Sequence, residues 1–341
     1  MVEARLYSKD ADTSVRCQLC AHRCHLQPGQ TGLCGTRFNH EGTLWTRAYG
    51  RTIAAHVDPI EKKPLYHFHP GTTAFSVATP GCNFRCRWCQ NYQISQNPDE
   101  TDFDSGTQAT PEDLATAAIR GGCHSIAYTY TEPTVFYEYT RDTALPAAAA
   151  GLANVYVTNG YMSQAMLAEA KPWLDAASVD LKAFREATYR KYMGARLQPV
   201  LDALKTMKAM GMWIEVTTLV IPGINDDDAE IRELAGFVAG DLGPETPWHV
   251  SRFFPTYRMT NVPPTPVEAL QRVADIGRER GLWYVYPGNL PDSSSTTCHA
   301  CNATLIRRQG YGASIEGIDS EGRCVHCRTP VDGVGMSAER R

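Results

Sequence analysis

Residues 79–89 read TPGCNFRCRWC and directly follow a β-rich run at residues 74–78. Cys82, Cys86 and Cys89 are spaced C-x3-C-x2-C in this stretch. Iron–sulfur cubes are held by thiolates. One loop with three cysteines can therefore hold three corners of a cube and leave the fourth iron open, as a catalytic zinc site leaves one position open. The alternative is a zinc knuckle completed by a distant residue, such as His67 or His69.

Around this loop, β-rich runs alternate with amphipathic helical patterns. The predicted strands cover residues 74–78, 125–130, 154–158, 177–181, 213–221, 249–253 and 283–286. The predicted helices cover residues 111–120, 164–173, 197–210, 229–238 and 266–280. Such repeats imply parallel strands with right-handed crossovers. We predict an α/β fold built on a (β/α)6-type partial TIM barrel, with a flat doubly wound sheet as the competing arrangement.

Two of the predicted helices have marked starts. Thr110 and Thr265 are each followed by a proline and, three residues on, by an acidic residue. Threonine at the N-cap, proline at the first helical position and an acid at the third are typical of helix N-termini. Both threonines are therefore predicted N-caps.

The central motif resembles a known family. A C-x3-C-x2-C loop with an aromatic residue, here Trp88, before its third cysteine is similar to the signature of radical S-adenosylmethionine (SAM) enzymes. The resemblance covers about residues 70–291 and is closest to the pyruvate formate-lyase activating enzyme branch. With the phrases YTEP, VDLKAF, HVSRFFP and GNLP and the N-terminal cysteines, the chain resembles the AmmeMemoRadiSam-system radical SAM group.

This resemblance implies a cofactor and a reaction. Cys82, Cys86 and Cys89 would hold a [4Fe–4S] cluster whose open iron chelates SAM. Reductive cleavage of SAM would give a 5′-deoxyadenosyl radical that abstracts hydrogen from a substrate. A flavodoxin or ferredoxin is the expected electron donor. The name of the AmmeMemoRadiSam group records a genomic association with two other protein families, and proteins of those families are candidate partners.

Candidate SAM-binding residues follow the predicted strands, where a barrel enzyme builds its site. YTEP stands where the family usually carries Gly-Gly-Glu, whose acid receives the methionyl ammonium. The residues that the resemblance assigns to SAM are Trp88, Glu132, Asn159, Asp180, Lys182 and Ile221. Each residue also has an alternative role without SAM. Trp88 could pack the loop, Glu132 could be a solvated acid and Asn159 could belong to a plain turn. Asp180 and Lys182 could form a surface ion pair, and Ile221 could end a buried strand. Candidates for contact with substrate are His249 and Arg252, although His249 also fits a core histidine.

Two further cysteine sets flank the predicted barrel. The first comprises Cys298, Cys301, Cys324 and Cys327, a paired-knuckle pattern that favours a structural zinc ribbon over a rubredoxin-type iron site. The second comprises Cys17, Cys20, Cys24 and Cys34, which suit zinc or an auxiliary iron–sulfur cluster. His22 and His25 are possible substitute ligands of the second set. Cys123 stands alone and is predicted to be a small buried residue.

The chain's other features concern its organisation and compartment. Its 341 residues are predicted to divide into an N-terminal metal-binding segment (1–70), a radical SAM core (71–291) and a zinc-ribbon-like segment (292–341). The formal charge of −4 does not indicate a basic surface that would bind nucleic acid or an anionic membrane. No signal peptide or spanning apolar run is present, so a cytoplasmic protein with reduced thiols is expected.

The leading functional hypothesis is a radical SAM enzyme acting on a small molecule or a peptide. A glycyl-radical activase that acts on a partner protein is the alternative within the same class. A zinc-stabilised binding protein without catalytic activity is the alternative from a different class.

Overall fold

A computed structural model describes residues 1–96, 98, 100–290 and 294–337. An eight-stranded sheet forms its centre, and its strands are β1 (Ala54–Pro59), β2 (Thr73–Ala78), β3 (Ser125–Tyr128), β4 (Ala153–Thr158), β5 (Ala176–Asp180), β6 (Trp213–Val220), β7 (Trp248–Arg252) and β8 (Val285–Gly288). The strands lie side by side in chain order. β1 is antiparallel to β2, and all later neighbours are parallel. This α/β sheet confirms the predicted partial barrel, and the carboxyl ends of β2–β8 share one edge.

Helices connect the parallel strands. The longer ones are α1 (Pro111–Arg120), α2 (Tyr137–Ala149), α3 (Gln164–Ala170), α4 (Gln198–Ala209), α5 (Asp228–Phe237) and α6 (Val267–Glu279). Short helices cover Tyr92–Ser95, Glu100–Ser105 and Glu186–Thr188, with 3-10 turns at Ile60–Lys62 and Pro133–Phe136 and π-turns at Tyr189–Met193 and Val238–Leu242.

The two predicted helix starts have different outcomes. Thr110 caps α1 in a capping box with Asp113, which confirms that prediction. The prediction for Thr265 is wrong, because α6 begins one residue later with Pro266 at its N-cap. The Thr265 hydroxyl instead donates to the carbonyl of Val220 at 2.6 Å and ties the loop before α6 to the end of β6.

The inner face of the sheet packs around the segment that joins β1 to β2. Ile60, Leu65 and Phe68 of this segment are fully buried. They form one apolar set with small or branched side chains of four strands: Ala74, Ala127, Val155 and Ala176. The amino-terminal half of the barrel is thus filled by the protein's own chain. The opposite face of the sheet packs against the helices in the main apolar core.

Small sheets flank the barrel at both ends of the chain. The N-terminal segment holds two three-stranded sheets, formed by Val2–Glu3, Thr43–Thr46 and Arg37–His40 and by Tyr7–Lys9, Val15–Cys17 and His25–Leu26. Arg51–Thr52 pairs with Thr107–Gln108. Thr296–Thr297, Thr304–Gln309 and Gly312–Ile315 form the C-terminal sheet.

The two predicted boundaries of the radical SAM core can be compared with the structure. β1 lies within the predicted N-terminal segment, yet it pairs with β2 along its whole length. The central sheet therefore begins before residue 71. The predicted boundary at 291/292 lies outside the described residues. Among those that are described, no helix has the length and apolar character needed to cross a membrane.

Candidate functional site

The C-x3-C-x2-C loop follows β2 at the carboxyl edge of the parallel strands. Cys86 is buried, and Cys82 and Cys89 are partly exposed. The Phe84 amide donates to Cys82 Sγ at 3.3 Å, and Cys89 Sγ lies 3.2 Å from the Ser95 hydroxyl. Burial raises the pKa of Cys86 to about 12. At neutral pH this thiol therefore ionises readily only when a cation binds it.

Glu132 follows β3 and is enclosed beside this loop, with 1% of its surface exposed. Its Oε1 accepts hydrogen bonds from the amide and hydroxyl of Thr134 at 3.1 and 2.5 Å and from the Thr158 hydroxyl at 2.7 Å. Its Oε2 accepts one from the Asn159 amide at 2.8 Å. Burial raises the pKa of Glu132 against the opposing effect of these hydrogen bonds. Burial, followed by the charge of Glu132, raises the pKa of Cys82, so the carboxyl and this thiol are electrostatic neighbours.

Asn159 connects the cysteine loop to Glu132. Its Nδ2 donates to Asn83 Oδ1 at 2.7 Å and lies 3.8 Å from Cys82 Sγ. Its Oδ1 accepts from the Tyr161 amide at 3.0 Å, which orients the side chain. Because the Asn159 amide is also bound to Glu132, the ends of β2, β3 and β4 form one hydrogen-bonded unit around Cys82.

Asp180 and Lys182 form an ion pair at the carboxyl end of β5. Lys182 Nζ donates to Asp180 Oδ2 at 2.6 Å, and only 16% of the Lys182 side chain is exposed. Burial acts to lower the pKa of Lys182, but the charges of Asp180 and Cys86 raise it overall. The structure thus places the pair beside the cysteine loop and not on the open surface.

Trp88 and Ile221 are both buried. The Trp88 ring lies 6.0 Å from the ring of Tyr192, whose carbonyl accepts from the Arg87 amide at 3.1 Å. Trp88 therefore packs the loop against the turn at Tyr189–Met193. Ile221 is fully buried at the end of β6, and its amide donates to Asn225 Oδ1 at 2.7 Å. A contact of either side chain with SAM stays a prediction.

The structure does not bring His249 to the mouth of the barrel. Its Nε2 lies 2.7 Å from Oε2 of the fully buried Glu215 in the amino-terminal half of β6. Glu215 also accepts the amides of Tyr66 and His67 at 2.9 and 2.7 Å. Burial acts to raise the pKa of Glu215, but the hydrogen bond and charge of His249 lower it. His249 is therefore a hydrogen-bonded core residue in this arrangement.

Arg252 lies at the carboxyl end of β7. Its Nε donates to the carbonyl of Thr265 at 2.7 Å, and its guanidinium lies 5.0 Å from the centre of the Phe254 ring. Asn289, after β8, donates to its carbonyl at 3.1 Å. Arg252 is partly exposed at the same edge as the cysteine loop, and its contact with substrate stays a prediction.

His67 and His69 do not complete the site of Cys82. His67 Nδ1 lies 2.7 Å from the carbonyl of Asp332 and Nε2 lies 2.6 Å from the Tyr286 hydroxyl. His69 packs against Gly335, where an added Cβ would lie 2.2 Å from its Nδ1. Both histidines are on the segment that enters the amino-terminal end of the barrel. The zinc-knuckle alternative therefore lacks its proposed fourth ligand.

Tyr130 replaces a glycine of the family pattern and adopts a glycine-like backbone. Its φ is 64°, a region that bulky residues rarely enter. Its hydroxyl donates to Asp58, its carbonyl accepts from Asn91 Nδ2 at 2.7 Å, and Lys63 Nζ lies 4.6 Å from its ring centre. These contacts hold the turn that leads to Glu132, so the loss of the glycine does not prevent the turn from forming.

Asn83 and Thr158 are site residues that the sequence did not reveal as such. Asn83 accepts from Asn159, and Thr158 donates to Glu132. Thr158 directly precedes Asn159, and Asn83 directly follows Cys82. Their positions beside predicted residues are the only signal that could have found them.

The flanking cysteines are placed as follows. The sulfurs of the C-terminal set all lie within 4.8 Å of one another: Cys298, Cys301, Cys324 and Cys327. The other set lies in the N-terminal segment, but His22 and His25 have different partners. His22 Nε2 lies 2.7 Å from the Asn83 carbonyl, and His25 Nε2 lies 2.8 Å from the Ser14 hydroxyl. Cys123 is buried, as predicted.

The residues around Cys82 fit an iron–sulfur cluster with SAM. The loop supplies three sulfur ligands and no fourth, which leaves one iron for an outside ligand. The buried carboxyl of Glu132 and the ion pair of Asp180 supply charges that suit a zwitterionic amino acid group.

Comparisons with known proteins agree with this chemistry. Residues 76–235 match the family model described as the Radical SAM superfamily. An uncharacterized protein of Methanocaldococcus jannaschii is 44% identical over 336 residues, which cover 97% of this chain and 99% of that protein. The pyruvate formate-lyase 1-activating enzyme of Escherichia coli K12 is 23% identical over 222 residues, 59% of this chain and 87% of the relative. The crystal structure of Streptococcus suis SuiB bound to S-adenosylmethionine shares the fold, with a TM-score of 0.50 at 13% identity, and the match covers 67% of this chain and 53% of that one.

Proposed function

The chain belongs to the radical SAM superfamily, and from this premise we propose how its residues carry the reaction. The family implies a [4Fe–4S] cluster and SAM. We propose that Cys82, Cys86 and Cys89 hold the cluster and that Glu132 receives the methionyl ammonium. The single observation that supports this most is the hydrogen-bonded unit in which Asn159 joins Cys82 to Glu132.

When bound and reduced, the cluster supplies the electron that cleaves SAM to methionine and a 5′-deoxyadenosyl radical. The protein's own residues bind and orient the cofactor. Among the described residues, Oε1 of Glu132 accepts three hydrogen bonds and Oε2 accepts one. Oε2 can therefore accept a further hydrogen bond from the ammonium of SAM. Lys182 and Asp180 would hold polar atoms of SAM, and Trp88 and Ile221 would flank its adenine.

We propose hydrogen abstraction from a small molecule or a peptide that reaches the carboxyl edge of the barrel. Arg252 is the candidate at that edge for contact with the substrate. A glycyl-radical activase is a second candidate, supported by the 23% identity to activating enzymes of Escherichia coli and Thauera aromatica. An external flavodoxin or ferredoxin would deliver the electron.

The C-terminal cysteines are proposed to hold structural zinc. Cys298 and Cys327 Sγ lie 3.5 Å apart, and Cys301 and Cys324 Sγ lie 3.7 Å apart. Zinc–sulfur bonds of about 2.3 Å in a tetrahedron give sulfur separations of about 3.8 Å. A rubredoxin-type iron would need a similar geometry, and metal analysis distinguishes the two.

The test of the proposed function is SAM cleavage under anaerobic conditions. Protein reconstituted with iron and sulfide is mixed with dithionite and SAM, and 5′-deoxyadenosine is quantified by liquid chromatography. We expect product from the wild type and from the control Cys123→Ser, but not from Cys86→Ala, which should keep its C-terminal zinc. Wild-type protein with an intact cluster and no product would contradict the proposal.

A further inference from the structure

Four cysteines gather in the N-terminal segment. The Cys17 amide donates to the carbonyl of Cys24 at 2.9 Å. An added Cβ at Gly32 would lie 3.8 Å from the Sγ of both Cys24 and Cys34. The Arg23 amide donates to the carbonyl of Cys20 at 3.2 Å, which closes a turn between Cys20 and Cys24. These contacts bring the four cysteines together in one stretch of turns, with the sulfurs of Cys24 and Cys34 both beside Gly32.

The spacing of these sulfurs differs from that of a zinc site. In the C-terminal set, all four sulfurs lie within 4.8 Å of one another, as a single tetrahedral ion requires. Over residues 1–96, which include both other sets, no three cysteine sulfurs are mutually that close. A cube binds each thiolate to a different iron and so holds the thiolates farther apart than one ion does. The N-terminal set thus resembles the Cys82 loop, and not the C-terminal set, in lacking such a close group of sulfurs.

A buried cation lies against the N-terminal sulfurs. Arg37 is 1% exposed, pairs with Glu138, and points Nη1 at Cys17 Sγ from 3.6 Å. Its Nε is buried and has no hydrogen-bond partner among the described residues. Donors beside the sulfurs of an iron–sulfur cluster stabilise its negative charge and tune its potential. A cluster held here would give this guanidinium a second anionic neighbour beside Glu138.

The N-terminal set is also in direct contact with the Cys82 loop. A Cβ at Gly81 would lie 2.9 Å from the Cys34 carbonyl oxygen, so only glycine allows this approach. His22 Nε2 lies 2.7 Å from the carbonyl of Asn83, and Arg85 donates to the carbonyl of Leu33. Three contacts therefore join the two cysteine loops on both sides of Cys82.

We infer that Cys17, Cys20, Cys24 and Cys34 hold a second [4Fe–4S] cluster, closed by four thiolates and adjacent to the first. This replaces the zinc alternative for this set. The inference stands on sulfur spacing and the Arg37 contact, and it does not depend on the proposed reaction.

Metal and sulfide analysis of the anaerobically prepared full chain tests it. The wild type should contain about eight irons, about eight sulfides and about one zinc per chain. The variant Cys82→Ala/Cys86→Ala/Cys89→Ala should keep about four irons and, once reduced, an electron paramagnetic resonance signal that SAM does not alter. The variant Cys20→Ala/Cys24→Ala should keep about four irons and a signal that SAM does alter. Cys123→Ser is the matched cysteine control and should equal the wild type.

About four irons and about two zincs in the wild type, with no iron in the triple variant, would overturn the inference but leave the proposed function standing. About eight irons whose signals are all unaffected by SAM would contradict the proposed function and leave the inference standing. Because the wild-type content already separates four irons from eight, misfolding of a variant does not remove the test.

Discussion

Glu132→Gln is the substitution that tests the SAM site most sharply, because it preserves volume and removes one charge. If the oxygen of the introduced amide keeps the three donors now on Oε1, the NH2 group of that amide faces the Asn159 amide, which now donates to Oε2 at 2.8 Å. Two N–H groups, that of the Asn159 amide and that of the introduced side chain, then face each other without an acceptor. The charge-assisted bond to the ammonium of SAM is lost as well.

The loss of a hydrogen bond to a charged group costs about 1.5–3 kcal/mol. SAM should therefore bind about 10- to 150-fold more weakly to Glu132→Gln than to the wild type. Cluster assembly should survive, because removing the negative charge beside Cys82 favours its thiolate. The Kd is measured by anaerobic calorimetry, with iron content determined on the same samples.

Thr158→Val is the matched control for this prediction. It removes one neutral donor to Oε1, at 2.7 Å, and keeps the carboxylate. Because this hydroxyl contacts Glu132 and not SAM, and the charge that binds the ammonium is kept, SAM should bind no more than about 10-fold more weakly. If Glu132→Gln bound SAM as tightly as the wild type does, or no more weakly than Thr158→Val does, the role of Glu132 would be refuted.

Three other predictions concern the rest of the chain. Burial lowers the pKa of His67 from 6.5 to about 4, so between these pH values the folded protein binds fewer protons than the unfolded chain. The stability of the protein should therefore fall as the pH drops through this window. Thermal midpoints measured across the window should show this fall, and His67→Phe should reduce it. Cys301→Ser should have lost its zinc in metal analysis and should still cleave SAM. A loss of SAM cleavage in proportion to the loss of zinc would contradict a purely structural role of this site. Tyr130→Phe removes the donor to Asp58 and should lower the free energy of unfolding in urea by about 1–3 kcal/mol; an unchanged value would show that this contact does not hold the turn.

Features set by local spacing were predictable from the sequence. The cysteine loop has its ligands within eight residues, and Glu132 and Asn159 stand directly after strands. The sequence left His249 between a contact with substrate and a core position, because its partner Glu215 lies 34 residues away and on another strand.

Two elements of the fold escaped prediction for physical reasons. β1 has four exposed or half-exposed residues before its one buried aspartate, so it lacks an alternating apolar pattern. α2 buries Glu138 and Thr140 through hydrogen bonds to Arg37 and Tyr156, so its buried face is partly polar. Thr265 matched a cap pattern, but its hydroxyl is used by the distant β6. In each case a nonlocal contact decided the outcome.

The central claim is that the cluster of Cys82, Cys86 and Cys89 has an open iron that binds SAM. Electron paramagnetic resonance of the reduced Cys20→Ala/Cys24→Ala protein, recorded with and without SAM, tests it most directly because the first cluster is then the only one expected. Added SAM should change the g-values of the signal, and Glu132→Gln in this background should require more SAM for the same change. A signal that saturating SAM leaves unaltered would contradict the claim.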